Sequence, residues 1–425
     1  MKYIALTIGP IYKTLANAKK PKELFSSSYI FSYIMREIIK EFRDREFITP
    51  YIKDKNIFND SDIGLFHDRF IFISQSGDLE ELPKVINRVI EDIAQKLDIS
   101  SKSIKEYLQI NYLEKELKDS DNPILKITPY LDTLELFYQT TQDISFANAL
   151  RRKKGDRDNF LTDGKNIIDD LKKLSYHNYY CVVHADGDKM GKAISNKDNI
   201  EDVSKLLFEY CNYSHQKIKK FGGQTIFAGG DDLLFFAPVV GKDNTTIFNL
   251  CEIIGDDFKN KFKSKGGATL SFGISVNYIK YPLYEALENS RELLFSKAKN
   301  DKRNNIAFRV TKHSGQSFEA VIHKGDDKVY QKFLEFVAII TDDKKDKNFL
   351  HSIHHKIDTY KTTINQIKNN KVKLQNFFDN YFNEYGHQDY KLFFETIVDF
   401  IHSSQDLDLV YSTLRFIKFV KGDKE

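Results

Sequence analysis

The chain alternates between short apolar runs and longer stretches in which apolar residues recur every three or four positions. The first run, Lys2 to Gly9, reads as a strand. Leu24, Phe25, Tyr29, Ile30, Tyr33, Ile34, Ile38 and Phe42 follow at helical spacing and predict an amphipathic helix over 22–43. A short strand is expected at Ile48–Ile52 and a longer one at Leu65–Ile73, ending at the Ser76-Gly77-Asp78 turn. Helices over 82–97 and 101–117 and a brief strand at 125–127 complete the first unit. That order predicts a small α+β domain over 1–150, with helices on one face of its sheet.

Arg151 to Asp158 is a run of charge without apolar spacing, so 151–175 reads as a linker. Patterning resumes with a strand at Tyr179–Ala185. A helix over 200–220, a hairpin near 230, a helix over 244–263, a strand at 268–276, a helix over 283–299 and an edge strand at 306–310 follow. The order β-α-β-β-α-β is ferredoxin-like and predicts a second α+β domain over 176–320. Beyond it only helical stripes remain, at 330–340, 349–367, 374–385, 390–402 and 407–420. They predict a separate C-terminal helical bundle over 321–425.

Composition mainly excludes. A length of 425 residues suggests about two to four domains. Lys and Arg number 64 against 61 Asp and Glu, a net charge of +3, so any nucleic-acid groove must be local. Cys181, Cys211 and Cys251 are too few and too scattered for a disulfide framework or a Cys-x-x-Cys zinc pair, and they fit a reducing cytoplasm. No apolar run approaches the ~18 residues of a membrane span, so no membrane partner is expected.

The candidate chemistry lies in Phe227-Ala228-Gly229-Gly230-Asp231-Asp232-Leu233-Leu234. Apolar strands flank two glycines and two carboxylates, and Gly229-Gly230 suits a two-residue turn with both residues at positive φ. Asp186, in Asp186-Gly187-Asp188, comes off the neighbouring strand and can converge on the same point. Such carboxylates, with the Gly187 carbonyl, suit Mg²⁺ or Mn²⁺, two ions in the usual phosphoryl-transfer arrangement. Strand alternation favours Asp231 as the partner of Asp186, with Asp232 joining only if the turn twists. Asp188 either reaches a second ion or caps the helix after it. Lys299, ending the helix over 283–299, could neutralise a triphosphate. Ser26, Ser27 and Ser28 either cap their helix or face a phosphate.

These residues resemble the large subunit of type III CRISPR effector complexes, the palm polymerase/cyclase family, most like its Cmr (III-B) branch. The likeness rests on Ile8-Gly9-Pro10 with the helix after it, Asp186-Gly187-Asp188-Lys189-Met190-Gly191, Gly229-Gly230-Asp231-Asp232, and Ser271-Phe272-Gly273-Ile274 through Ala298-Lys299 to His313-Ser314-Gly315. The resemblance implies two palms packed face to face, the first degenerate, with ATP between them. It implies target-RNA-activated conversion of ATP to cyclic oligoadenylate for antiviral defence, in a cytoplasmic complex with guide RNA, target RNA and other subunits, a small helical one among them. By carry-over, Asp186, Asp231 and Asp232 handle metal and Gly229 and Gly230 admit phosphate. Lys299 binds triphosphate, and Ser204 contacts adenine. The chain as given begins at the first palm, so no DNA-cutting nuclease activity is expected, and no zinc cysteine cluster lies between the palms. His67-Asp68-Arg69-Phe70 stands where relatives tend to have a Pro-Asn-Arg-Phe-like stretch. Asp68 either pairs with Arg69 or another nearby base, or suits a cationic acceptor such as S-adenosylmethionine, which some members join to ATP. A silent scaffold is the remaining alternative.

Overall fold

The computed structural model describes residues 1–59, 62–136, 143–151, 160–163, 165–300, 302–338, 347–382 and 388–422. The first unit runs β1 (Lys2–Gly9), α1 (Ile11–Ala16), α2 (Pro21–Glu41), β2 (Phe47–Thr49), β3 (Arg69–Ile73), α3 (Asp78–Leu97), α4 (Ser101–Tyr107), β4 (Gln109–Glu116), α5 (Pro123–Glu135) and α6 (Ser145–Ala149). The second runs β5 (Tyr179–Asp188), α7 (Met190–Ala193), α8 (Ile200–Phe221), β6 (Gln224–Gly229), β7 (Asp232–Pro238), α9 (Ile247–Lys261), β8 (Thr269–Tyr278) and α10 (Leu283–Glu292). A π-helical turn at Leu293–Ala298 leads to β9 (Asn305–Thr311) and β10 (Ser317–His323). Helices α11 (Asp327–Ala338), α12 (Lys347–Thr359), α13 (Lys361–Ile367), α14 (Lys371–Tyr381), α15 (Gln388–Ser404) and α16 (Leu407–Gly422) follow.

The first sheet is ordered β2-β3-β1-β4, and the second β10-β9-β8-β5-β7-β6. In each palm the opening strand lies between the third and fourth strands of the βαββαβ unit, so the two share one ferredoxin-like plan. Alternation along the strands assigns faces. Tyr180 and Val182 of β5, with Leu234 and Phe236 of β7, enter a core shared with Ile4, Leu6 and Ile8 of β1 and the apolar stripe of α2. Cys181, Val183, Leu233 and Phe235 enter the opposite core, under α8 and α9. The palms therefore meet face to face through a continuous apolar layer. Each lends its long helix to the other's sheet, α2 against β6 and α8 against β2.

The structure corrects three expectations. Residues 109–116 are a strand, not helix: β4 pairs with β1 along all eight residues, from Lys2–Glu116 to Gly9–Gln109. Its alternate residues serve two layers, Ile110 and Tyr112 the inter-palm core and Leu113 the layer under α5. The segment at 125–127 is part of α5. Pro123 opens that helix, and the Asn122 side chain accepts the Leu125 N–H at 3.2 Å. Helices consequently cover both faces of the first sheet. Third, the C-terminal helices share their core with the second palm. Phe248 of α9 meets Phe308 of β9, Phe333 of α11 and Phe416 of α16 at ring separations of 4.9–5.2 Å. Strand β10 crosses the expected 320/321 boundary and moves β9 off the sheet edge. Most of the charged run at 151–158 lies outside the described residues, while Leu161, Ile167 and Leu174 of the expected linker are buried in the inter-palm core.

Gly273 in β8 sets how closely α10 and the π-turn approach the sheet. A Cβ there would stand 2.2 Å from the Ser290 carbonyl oxygen and 2.5 Å from the Leu294 nitrogen, both backbone atoms. Gly273→Ala is expected to lower unfolding free energy by about 1–3 kcal/mol in urea melts. Gly191→Ala in α7, where nothing beyond the local helix backbone comes within 4 Å of the added carbon, should be neutral or stabilise by up to about 1 kcal/mol. Equal losses for both would show that the approach at Gly273 is not limiting.

Candidate active site between the two palms

The hairpin turn is displaced by one residue from its expected position. Gly229 pairs with Asp232 across β6 and β7, so the turn residues are Gly230 and Asp231. Gly230 alone has positive φ, at +64°, as a turn with glycine at its first central place requires. Gly229 packs under the Phe227 ring. The displacement changes where the two aspartates lie. Asp231 folds back over β5, close enough to Gly187 that a Cβ there would lie 2.5 Å from its Oδ2. Burial raises its carboxyl pKa, and its own N–H and that of Gly187 partly offset the rise. Asp232 opens β7 on the Leu234 side, facing the first palm. Asp232 is itself exposed, but the protein packed around its carboxyl, with Asp231 and Asp68, pushes it up to about 8.

At the end of β5, the Lys299 ammonium pairs with the Asp186 carboxylate and donates to the Gly187 carbonyl at 2.8 Å. Burial and the nearby Arg303 hold Lys299 down to about 8. Asp188 does not cap α7, because Lys189, at φ +64°, stands at that helix's N-cap. Asp188 is fully buried, and its Oδ2 accepts from Ser271 Oγ at 2.8 Å, Thr269 Oγ1 at 3.0 Å and the Asn304 N–H at 3.0 Å. It fastens β5 to β8, with Oδ1 left without a partner among the described residues.

A cavity of about 550 Å³ separates the palms at this point. Its volume is in the range of small-molecule sites. The second palm contributes His184, Phe227, Asp232, Leu234 and Phe295, and the first Tyr12, Ser28, Asp68, Gln109, Asn111 and Glu135. His184 hydrogen-bonds Ser290 Oγ at 2.7 Å and is lowered to about 4 by burial and Arg291, which keeps it neutral. Helix α2 begins at Pro21, so the three serines lie past its first turn and do not cap it. Ser26 bonds back to the Lys22 carbonyl, Ser27 Oγ is buried without a partner, and Ser28 reaches the cavity.

Asp68 lines the first-palm wall. Burial raises its carboxyl pKa, His67 and Arg69 oppose the rise, and Glu135 adds to it. The Asp68–Arg69 pair does not form: Arg69 turns to Asp132 at 2.7 Å and Glu135 at 2.6 Å. Among the described residues Asp68 makes no ion pair. Ser204 is not brought to the cavity. It lines a separate cleft of about 60 Å³ with His67, Cys211 and Gly230. Sequence reasoning missed Tyr12, Gln109, Asn111, Glu135, His184 and Phe295, which no motif marks. Arg303, an exposed loop residue after the π-turn, acts on Lys299 by charge and does not line the cavity.

Among the described residues, no three His, Cys, Asp or Glu side chains are gathered as a metal centre. The donor set nevertheless fits a cation. One already stands, as the Lys299 ammonium, between Asp186 and the Gly187 carbonyl, and negative charge around Asp232 is uncompensated enough to favour its protonation. Asp186, Gly187 and Asp232 are the groups that would hold a divalent ion, with Asp231 beside them.

Two ferredoxin-like palms closed on an acid-tipped cavity define a tandem-palm architecture. A family model described as Cas10/Cmr2, second palm domain, matches residues 179–307, and one for the N-terminal part of CRISPR-associated protein Cmr2 matches 3–106. Together they span more than half of the chain. It belongs to this family, the large subunits of type III CRISPR complexes, and is Cmr-like. The CRISPR system Cmr subunit Cmr2 of Pyrococcus furiosus is 28% identical over 222 residues, 44% of this chain and 25% of that protein. The chain thus spans about a quarter of that relative's length. A Csm1–Csm4 cassette in complex with cA4 superposes with a TM-score of 0.56 at 11% identity, over 99% of this chain and 69% of the other. A type III-B Cmr-beta cryo-EM structure in the apo state gives 0.56 at 9% identity, over 85% and 75%. No helix among the described residues is long and apolar enough to cross a membrane.

The register makes a specific prediction. In a Mn²⁺ titration followed by electron paramagnetic resonance, Asp232→Ala should weaken binding about tenfold or more, about 1.4 kcal/mol. Asp231→Ala should cost less, because Asp231 turns toward Gly187. The reverse order would restore the assignment expected from sequence.

Proposed function

We propose that this chain carries out metal-dependent nucleotidyl transfer on ATP inside a type III CRISPR effector complex. The observation that carries the reading is the cavity itself: Asp232, on a hairpin tip, faces a ligand-sized space whose far wall is a second palm. The reaction forms a P–O bond at the α-phosphorus and breaks the bond to the β-phosphate, releasing pyrophosphate. Such transfer depends chiefly on positioning and charge neutralisation. A bound Mg²⁺ or Mn²⁺ would supply that neutralisation at the phosphate oxygens. Lys299 and Arg303 would hold the leaving phosphates, and Gly230, free of a side chain, would let them approach the turn. Neutral His184 and the apolar wall of Phe227 and Leu234 would limit water. The product is a cyclic oligoadenylate messenger made when guide RNA pairs with target RNA, in the cytoplasm, with other type III subunits and a small helical subunit bound. Structural neighbours of similar fold, Csm1–Csm4 cassettes, are described in complex with cA4 and with pppApA.

Asp68 favours a second reading. With no ion-pair partner and Glu135 nearby, the first-palm half suits a cationic acceptor such as S-adenosylmethionine, giving an adenylated conjugate. The Lys299–Asp186 pair is the observation that favours a silent scaffold.

The assembled complex should be incubated with target RNA, Mn²⁺ and labelled ATP, with and without S-adenosylmethionine, and its products read by mass spectrometry. Pyrophosphate and an oligoadenylate are expected, and Asp231→Ala plus Asp232→Ala should reduce both by at least about a hundredfold. A product that requires S-adenosylmethionine and falls with Asp68→Asn would establish the second reading. ATP binding without turnover would establish the scaffold.

A further inference from the structure

Helix α10 does not stop at Glu292. It runs into the π-turn Leu293–Ala298, in which the Lys299 N–H meets the Leu294 carbonyl at 2.8 Å, a five-residue step. Such turns are rare and concentrate at functional sites. The wider turn keeps residues four apart on one side, so Arg291, Phe295 and Lys299 form a column. The Arg291 guanidinium carbon lies 5.8 Å from the centre of the Phe295 ring, and Lys299 Nζ lies 5.9 Å from it. Phe295 lines the cavity yet is 49% exposed. From the first palm, Tyr12 reaches the same mouth and stacks on the Arg291 guanidinium at 4.0 Å.

A half-exposed aromatic ring flanked by two cations at the cavity mouth suits a nucleotide: a base on the ring and phosphates on the cations. We propose that Phe295 is the base-stacking platform of the nucleotide site, held at the cavity mouth by the π-turn, with the Tyr12–Arg291 pair closing beside it. The proposal rests on the nucleotide reading above. Stacking accepts any base, so Phe295 supplies affinity and leaves the choice of adenine to other groups.

The test uses the full chain, with ATP, GTP and inorganic tripolyphosphate as probes in isothermal titration calorimetry. Phe295→Ala should weaken ATP and GTP alike by about tenfold. It should leave tripolyphosphate within about twofold, and Phe295→Tyr, which keeps the ring, should retain wild-type affinity. Unchanged ATP affinity in Phe295→Ala overturns the platform and leaves the nucleotide reading standing. Equal loss of ATP and tripolyphosphate also overturns it, since the ring would then act only through the fold. A wild-type chain that binds neither ATP nor tripolyphosphate overturns the nucleotide reading, and the platform with it.

Discussion

The pairing of β5 with β7, His184 opposite Leu234 and Ala185 opposite Leu233, is the constraint on which the rest depends. Because side chains alternate, this register decides which residues meet the first palm and which meet α8 and α9. Val182, Leu234 and Phe236 bury themselves against the first palm, and that burial holds the register in place. Asp232 follows Leu234 by the same alternation and is delivered to the cavity. A slip of one residue would send the apolar face into the cavity and the acid into a dry core, at a cost no hairpin turn could offset.

That arrangement concentrates like charge. Asp232 has Asp231 behind it and Asp68 across the cavity, and both raise its affinity for a proton. The largely apolar walls weaken the screening that water gives these partly exposed carboxylates. Lys299 relieves only the Asp186 corner. The site therefore has two halves of different character: a compensated corner at the end of β5, and an uncompensated tip at the start of β7. Any incoming cation gains most at the tip.

Long periodic elements were legible in the sequence because each buries one face. β1, α2, α3, α8 and α9 all appear within a few residues of where their apolar stripes place them. Elements that divide their residues between two layers were not. β4 sends Ile110 and Leu113 to different cores, so its apolar residues match neither a helical stripe nor a one-faced strand. At the site, Lys299 meets Asp186 and Gly187, and Asp231 lies over Gly187, while among the described residues the carboxylates do not gather as a metal centre. The frame of the turn was not readable, because Gly229-Gly230 and Gly230-Asp231 both satisfy glycine's preference and only pairing across the hairpin decides. The partners of Arg69 were hidden for a related reason: Asp132 and Glu135 belong to α5, of which the sequence pattern offered only a brief strand at 125–127.

Among the described residues the first palm shows no adjacent acidic pair like Asp231-Asp232 at a hairpin tip, yet the geometry gives it more than support. Its wall supplies Asp68, Glu135, Gln109 and Asn111, a polar surface opposite an apolar one of Phe227, Leu234 and Phe295. A ligand that meets the second palm through a flat base and phosphates would present its remaining polar edge to the first. The acidity of that wall then discriminates among acceptors, because a second polyphosphate would meet Asp68 unfavourably unless cations came with it, whereas a positively charged group would not. On the proposed reading, a division of labour between one palm that holds the donor and one that selects the acceptor would follow from where the charges lie.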